Sequence, residues 1–301
     1  MHNDGVSNSA STTISSQKSR SIFSIPEPVK NLFDKFPLIV YPPNELPARA
    51  PSSRDENTLY VFAVEGSVNA KKSSFNPSCL KWQTFLLFTD IKFRIRPSNN
   101  HASPTGSLPF LIPAQTVAQT AISELAHPIP ANKLPDWAYE QGKNIREPTT
   151  SKFEVYSTLI SNQIRSAWLY FLYLEPANFV TVAQRLYVEP ISSSGFVRAT
   201  TAFQLRRAAE NELRKSMPVI NVSGLYEQAD IAFQALSVLL GSNTFFFGEK
   251  QPTMFDANIF AYTHLLLDKE MQWQEERLVI ILKKYTSLVD HRDRIYKSYF
   301  L

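Results

Sequence analysis

The sequence predicts two folded parts in succession, a small α/β domain followed by an all-helical domain. The first observation is a strand–helix–strand–strand pattern between Leu59 and Pro113. The second is a change of period after Thr150, from where apolar residues recur every three or four positions. A proline-rich stretch between Pro128 and Pro148 separates the two patterns and forbids a helix that runs through both.

The α/β part consists of short segments with distinct local signals. Leu59–Val64 is an apolar, β-branched and aromatic run, which is typical of a buried strand. Asn76 and Pro77 form a helix start, with Asn76 as the N-cap, and the apolar segment that follows ends near Asp90. Ile91–Arg96 alternates strictly between apolar and basic residues, which predicts a strand with one buried face.

The next predicted strand, Ser107–Ile112, contains a proline. Because Pro109 removes a ladder hydrogen bond, it has to lie at a strand start, at a sheet edge or in a special turn. A cis peptide between Leu108 and Pro109 is one solution, but only about 5–6% of X–Pro bonds are cis, so the local sequence does not decide this. The last helix of this part is predicted to run through Val117 and Ile122 to Leu125.

The second part shows helical periodicity throughout. Thr253 and Asp256 occupy the N-cap and N3 positions of one predicted helix, where they can satisfy free backbone donors reciprocally. His264 on the same apolar helix is interpreted as a satisfied or surface histidine. A core stripe with three–four spacing predicts the first helix from Phe153 to Leu174. The further predicted helices are Ala177–Val188, Gly195–Ser216, Leu225–Leu239, Thr253–Leu267, Trp273–Tyr285 and Ser287–Tyr299.

The domain division follows from these changes of character. Residues 1–20 are rich in Ser, Thr and Asn and are predicted to be a disordered tail. The remaining predicted divisions are an extended Pro-rich arm at 21–57, the α/β domain at 58–127, a connector at 128–149 and the helical domain at 150–301.

The arm combines many prolines with large apolar residues, among them Phe33, Phe36 and Leu38. Each such side chain gains about 1.5–3 kcal/mol when it is buried, so the arm needs a surface to lie on. That surface belongs either to the protein's own domains or to a partner. Phe33 and Phe36 are therefore candidate partner-binding residues.

Composition narrows the possible functions. The net charge of +4 with a pI near 9.0 permits contact with anionic headgroups or acidic partners but is far from the charge of a nucleic-acid-packaging protein. A single cysteine rules out an internal disulfide framework. No apolar run reaches the length of about 18 residues that suggests a membrane span. The five histidines lack metal-ligand spacing and no glycine-rich phosphate loop is present, so the sequence predicts neither a metal nor a cofactor.

Three segments carry a resemblance to a known family. The layout of Leu59–Ile112 with a Leu-Pro strand resembles the thioredoxin-like domain of the glutathione transferase superfamily, in which this proline is usually cis. The phrase Ser103–Pro109, downstream of Cys79, is similar to the metaxins, and Phe247–Ala257 is similar to the capping segment of the transferase C-terminal helical domain. The phrase Phe23–Leu38 resembles the start of a fungal metaxin relative, the thirty-five-kilodalton receptor subunit of the mitochondrial sorting and assembly machinery.

The resemblance implies a fold and argues against catalysis. The implied fold is a thioredoxin-like N-terminal domain followed by a glutathione-transferase-C-like helical domain. In the resembling enzymes a Ser, Cys or Tyr activates the glutathione thiol, whereas Asn76 stands at that position here and cannot become an anion. Cys79 is expected in the first helical turn, where the helix dipole lowers a thiol pKa, but we favour the interpretation that it is a structural, half-buried cysteine. Gln119-Thr120 replaces the family's Glu-Ser pair.

The function implied by the resemblance is that of a non-enzymatic receptor subunit. Such a subunit lies on the cytosolic face of the mitochondrial outer membrane and contacts the membrane only peripherally. Its implied partners are the membrane-embedded barrel subunit, a metaxin-like companion and β-barrel precursors whose C-terminal β-signal it helps recognise, with no nucleic acid. The alternatives are a glutathione transferase-like enzyme and a purely structural scaffold of the same complex.

The candidate receptor surface is the basic face of the Ile91–Arg96 strand. In a transferase-like sheet this second strand lies at an edge, where unpaired backbone groups can accept an added strand. Lys92, Arg94 and Arg96 would then face an incoming precursor. The same three cations also serve, in the alternative interpretation, to prevent unwanted strand pairing.

Overall fold

A computed structural model describes residues 55–114, 127–143, 145, 147 and 151–301. The predictions for the tail, for nearly all of the arm with Phe33 and Phe36, for the helix ending at Leu125 and for Gln119-Thr120 lie outside these residues. The described part from residue 55 onward belongs to one compact unit, residues 51–301. Within it a small mixed sheet lies beside a set of helices, as the sequence predicts.

The sheet has four strands in the order β2–β1–β3–β4. β1 pairs in parallel with β2 in a register that places Leu59 opposite Ile95, and it pairs antiparallel with β3, with Leu59 opposite Leu111. β3 and β4 are antiparallel. The peptide between Leu108 and Pro109, just before β3, is cis. The strands are β1 Asn57–Val61, β2 Phe93–Pro97, β3 Phe110–Ile112 and β4 Ile129–Pro130.

Helix α1, Pro77–Phe88, connects the two parallel strands. Its start agrees with the prediction, because the Asn76 side chain accepts a hydrogen bond from the backbone of Cys79 at 3.2 Å and Pro77 occupies the first turn. It ends at Thr89, and Asp90 adopts a left-handed conformation with φ 58° that turns the chain back towards β2. Helix α2, Leu134–Gln141, follows β4, and Tyr139 packs its ring against Phe85 of α1.

The helical part begins at Ser151. Its predicted first helix is confirmed in extent, although α-helical and π-helical turns alternate along it. The α-helices are α3 Ser151–Leu159, α4 Arg165–Leu169, α5 Pro176–Asn178, α6 Gly195–Arg214, α7 Val222–Leu240, α8 Met254–Leu267, α9 Arg277–Lys283 and α10 Thr286–Tyr299. The π-helical segments are Ile160–Ile164, Tyr170–Leu174 and Phe179–Val188.

One predicted helix start is wrong, because a tertiary contact overrides local propensity. The helix expected from Trp273 begins only at Arg277. The buried Asn178 side chain accepts hydrogen bonds from the backbone N–H groups of Gln274 and Glu275 at 3.0 and 2.9 Å. These contacts hold the two residues in a loop, since the amides are already satisfied without a helix.

Helix α8 lies at the centre of the unit. It is apolar around its whole circumference and packs along α1 on one side and α10 on another, so it joins the sheet layer to the helical layer. The predicted capping box of Thr253 and Asp256 is confirmed at its start. The interpretation of His264 is wrong: its ring is buried and neither nitrogen has a hydrogen-bond partner within the described residues.

Within the described residues, no helix combines the length and the apolar character needed to cross a membrane.

Candidate functional site

The N-terminus of α1 is the position at which a transferase-like protein would activate a thiol. Here the Asn76 side chain makes two hydrogen bonds. Its oxygen caps the helix, and its Nδ2 donates to the hydroxyl of Tyr187 at 3.2 Å. Tyr187 in turn donates to the backbone oxygen of Phe75 at 3.3 Å. Both polar ends of Asn76 are therefore engaged within the protein.

Cys79, the other candidate thiol-site residue, is fully buried under the same turn. Burial raises the pKa of its thiol to about 12, although contacts with the Phe62 backbone and the Ser74 side chain oppose this shift. Since the thiolate is the nucleophilic form, this cysteine stays protonated and unreactive at neutral pH. Desolvation outweighs the helix dipole here, so the structural interpretation of Cys79 holds, with burial complete rather than partial.

Aromatic rings enclose this turn. The Tyr187 ring, from the π-helical segment Phe179–Val188, packs edge-to-face against Phe62 and Phe75 with centroid distances of 5.2 and 5.0 Å. Tyr173 lies 5.9 Å from the same ring, and burial raises its pKa to about 12. Sequence reasoning missed Tyr187, because a tyrosine at an apolar helix position gives no sign of which distant helix it will cap.

No group of three or more potential metal ligands is found in the described parts of the chain.

The sequence-predicted basic strand lies at the sheet edge, as expected. β2 has β1 on one side only, and burial alternates along it, with Phe93 and Ile95 buried and Arg94 and Arg96 exposed. Lys92, which directly precedes the strand, is exposed as well. The strand starts two residues later than predicted, because the left-handed turn at Asp90 delays pairing until Phe93.

The three cations at this edge, Lys92 just before β2 and Arg94 and Arg96 within it, have different surroundings. Arg94 donates from Nε to the Thr58 hydroxyl at 3.2 Å, and the Arg96 guanidinium lies 5.9 Å from the centroid of the Tyr60 ring. Both side chains thus lean across β1. Lys92 has no ion-pair partner within the described residues.

The outer edge of β2 is not fully open. The backbone N–H of Ile95 donates to the carbonyl of Val68 at 3.1 Å, so the loop between β1 and α1 takes up one edge amide. Pro97, two residues on, has no amide hydrogen to offer. At the Ile95 end of β2 the Val68 loop therefore occupies the position of an added strand. At the Phe93 end the edge is free of this contact. No local sequence pattern predicts this contact between the Val68 loop and β2.

Comparison with protein families finds matches to three models. Residues 23–81 match the family described as SAM35, subunit of SAM complex. Residues 77–178 match the glutathione S-transferase N-terminal domain, and residues 229–295 match the glutathione S-transferase C-terminal domain.

Among curated proteins the chain is similar to metaxins. It is 25% identical over 234 residues to Metaxin-2 of Homo sapiens, which covers 75% of this chain and 83% of that protein. It is 26% identical over 228 residues to a Metaxin-2 homolog of Caenorhabditis elegans, which covers 72% of this chain and 86% of that protein.

Solved structures with a similar chain path include a glutathione S-transferase of Ceriporiopsis subvermispora in complex with glutathione. Its TM-score is 0.46 at 14% identity, covering 77% of this chain and 97% of that one. Glutaredoxin 2 of Salmonella typhimurium in complex with glutathione has a TM-score of 0.48 at 14% identity, covering 81% of this chain and 94% of that one.

Proposed function

Because residues 23–81 match the SAM35 family model and the chain is similar to the metaxins, we propose that it is a non-enzymatic subunit of the mitochondrial sorting and assembly machinery, the SAM complex. The match of residues 23–81 to SAM35 carries this proposal. That segment reaches into β1 and the first turn of α1, so it ends at the turn that carries Asn76 and Cys79.

The state of the former thiol site supports a role without catalysis. A glutathione-dependent enzyme needs a group that stabilises a thiolate. Asn76 has no ionisable group, and both of its polar atoms are bound inside the protein. Cys79 is buried, and its thiol pKa is raised to about 12. A neutral Asn76 side chain that is bound inside the protein is consistent with a structural rather than a catalytic role for this domain.

In this proposal the protein lies on the cytosolic face of the mitochondrial outer membrane. It contacts the membrane-embedded barrel subunit and a metaxin-like companion, and it receives β-barrel precursors. Phe33 and Phe36 of the arm, within the SAM35 match, remain candidate partner-binding residues. Burying two phenylalanines at an interface supplies enough apolar area for hot-spot contacts.

Assembly with the barrel subunit tests the proposed function. The full chain, expressed in cells of the parent organism with an affinity tag, is expected to recover the barrel subunit from detergent-solubilised outer membranes. Phe33→Ala with Phe36→Ala is expected to reduce recovery at least about tenfold, the size expected when hot-spot residues are lost. If the tagged chain is recovered from solubilised membranes without the barrel subunit, the proposal is wrong. Ile25→Ala with Val29→Ala serves as the matched control in the same arm, and equal loss in both variants would remove the specific role of the two phenylalanines.

For precursor recognition we propose strand addition at the Phe93 end of β2. A β-signal is an extended segment whose backbone groups need partners, and a sheet edge supplies them. The Phe93 end is free of the Val68 contact, and Lys92, which lies beside it, has no ion-pair partner within the described residues. A positive charge there favours approach of an acidic or polar precursor end.

Charge reversal at this edge tests precursor recognition. Lys92→Glu with Arg94→Glu is expected to lower crosslinking of the assembled complex to a β-signal peptide about three- to tenfold while assembly is retained. Lys250→Glu with Lys283→Glu makes the same charge change at two exposed lysines elsewhere and is expected to leave crosslinking unchanged. Unchanged crosslinking in a folded, assembled edge variant would contradict precursor binding through Lys92 and Arg94 and would leave them the role of preventing strand pairing.

A further inference from the structure

Helix α6, Gly195–Arg214, is the longest α-helix among the described residues and has the smallest buried share of the long ones. Only Ala209 and Leu213 are buried along its 20 residues. Its N-terminal half leaves two phenylalanines in water, with 82% of Phe196 and 62% of Phe203 exposed. Large aromatic side chains that are exposed together on one helix are typical of an interaction surface.

The exposed residues share one face of α6. Phe196, Thr200, Phe203 and Arg207 are separated by four, three and four positions, which brings them onto one line along the helix. All four are exposed. We call this line, together with Arg206, the outer face of α6.

The outer face is positively charged without local compensation. From Gly195 to Ala209 the helix contains three arginines and no acidic residue. The first acids beyond this stretch are already paired, Glu210 with Arg214 at 2.7 Å and Glu212 with Arg165 and Lys215. Arg207 has no ion pair within the described residues.

A groove beside this face combines apolar and cationic walls. It has a volume of about 630 Å³, and its lining includes Phe179, Phe203, Arg206 and Arg207, together with Glu210 and Arg214, which form an ion pair with each other. The Arg206 guanidinium lies 5.2 Å from the centroid of the Phe179 ring, which holds the cation at the wall of the groove. In this groove Arg206 and Arg207 could bind an anionic headgroup, and the apolar Phe179 and Phe203 lie directly beside them.

We propose that the outer face of α6 binds the surface of a phospholipid membrane that carries anionic headgroups. Exposed phenylalanines beside arginines on one helix face are the combination that lies in the boundary between headgroups and acyl chains. The excess positive charge fits an anionic leaflet. The proposal rests on the proposed function, which puts the chain beside the mitochondrial outer membrane. With two phenylalanines and few arginines the contact is weak and reversible, so it orients the subunit on the membrane and leaves its retention to the barrel subunit.

Vesicle binding of the purified full chain tests this inference. We expect cosedimentation with vesicles of phosphatidylcholine mixed with phosphatidylserine, much weaker cosedimentation with phosphatidylcholine alone, and a decline of binding as salt is raised. Phe196→Gln with Phe203→Gln, and separately Arg206→Gln with Arg207→Gln, are each expected to reduce binding about tenfold or more. These residues are all exposed, so the variants keep the thermal stability of the wild type.

Matched controls separate the outer face from general surface properties. Val155→Gln with Val238→Gln removes exposed apolar residues from α3 and α7, and Lys152→Gln with Lys250→Gln removes two exposed charges elsewhere. Both are expected to bind vesicles as the wild type does. Equal binding to neutral and anionic vesicles, or equal loss in control and outer-face variants, would overturn the proposal.

Two further outcomes distinguish this inference from the proposed function. If outer-face variants bind vesicles normally but no longer recover the barrel subunit, the face binds protein and the membrane proposal is wrong. If the wild type binds anionic vesicles through this face but never recovers the barrel subunit, the membrane contact stands and the proposed subunit role fails.

Discussion

Replacing Asp256 with alanine is expected to lower the free energy of unfolding by about 3–5 kcal/mol. The carboxylate is fully buried and accepts four hydrogen bonds. One oxygen accepts from the backbone of Phe246 at 3.0 Å and from the His291 ring at 2.9 Å. The other accepts from the Thr253 amide at 2.9 Å and hydroxyl at 3.1 Å. Its removal leaves several buried donors unpaired at once, which costs more than the loss of one bond.

Chemical denaturation of the full chain measures this effect. Asp256→Asn keeps one acceptor oxygen and is expected to fall between the wild type and Asp256→Ala. Asp290, which is exposed on α10, provides the control, since Asp290→Ala is expected to change stability by no more than about 0.5 kcal/mol. If Asp256→Ala lowers the free energy of unfolding by less than about 1 kcal/mol, water must replace the carboxylate. That outcome would contradict the complete burial of Asp256 and His291.

The second large effect is a loss of stability in acid caused by His264. Its ring is stacked between Phe260 and Tyr296, with both centroid distances at 5.0 Å. Burial lowers the pKa of this histidine to about 3, and the nearby Arg292 charge adds to the shift. Asp268 lies 3.9 Å from Nε2, which is beyond hydrogen-bond distance, and burial raises the pKa of that carboxyl group.

The sign of the pH dependence follows from proton binding. The unfolded chain protonates His264 near its ordinary pKa of about 6.5, whereas the folded chain does so only near 3. Between these values the unfolded state binds more protons, so stability falls as the pH is lowered from about 6.5 towards 3. The expected loss from this residue is about 2–5 kcal/mol at the acid end. Glu147, whose pKa burial raises to about 7, contributes the opposite slope above about pH 4.5, so the effect is measured as a difference between variants.

His264→Phe tests this effect, because phenylalanine fits an aromatic stack and cannot be protonated. Relative to the wild type, the variant is expected to gain stability progressively below pH 6.5 in denaturation measured at several pH values. His101→Phe, at an exposed position, is the control and is expected to leave the difference near zero. A His264→Phe variant with the wild-type pH profile would show that the ring is hydrated in solution.

Local signals in the sequence were sufficient wherever a feature depends on neighbours in the chain. The Asn76 cap, the proline after it and the Thr253–Asp256 box each involve residues within three positions of one another, and all three are found as predicted. The alternation of Ile91–Arg96 likewise defined which side chains of β2 face the core. These are short-range effects of backbone hydrogen bonding and strand geometry.

Features that depend on distant partners were decided only in the tertiary structure. Asn76 meets Tyr187 across 111 positions, and His291 meets Asp256 across 35. No local sequence pattern predicts either pair. Periodicity predicts which face of a helix is buried, but it does not predict the residues that this face packs against. The same limit explains the errors at His264 and at the start of α9.

The sequence by itself determined the order of β1, α1, β2 and β3, the caps and the basic edge strand, because propensity, periodicity and capping act within a few residues. It was wrong at 128–149, where β4 and α2 lie in the stretch predicted as a connector. The tertiary structure alone decided that Cys79 is sealed from water, that the Val68 carbonyl covers part of the β2 edge, and that the outer face of α6 is left open. Each of these depends on which surfaces meet when the sheet and the helices pack, and desolvation and hydrogen bonding at those contacts outweigh local preference.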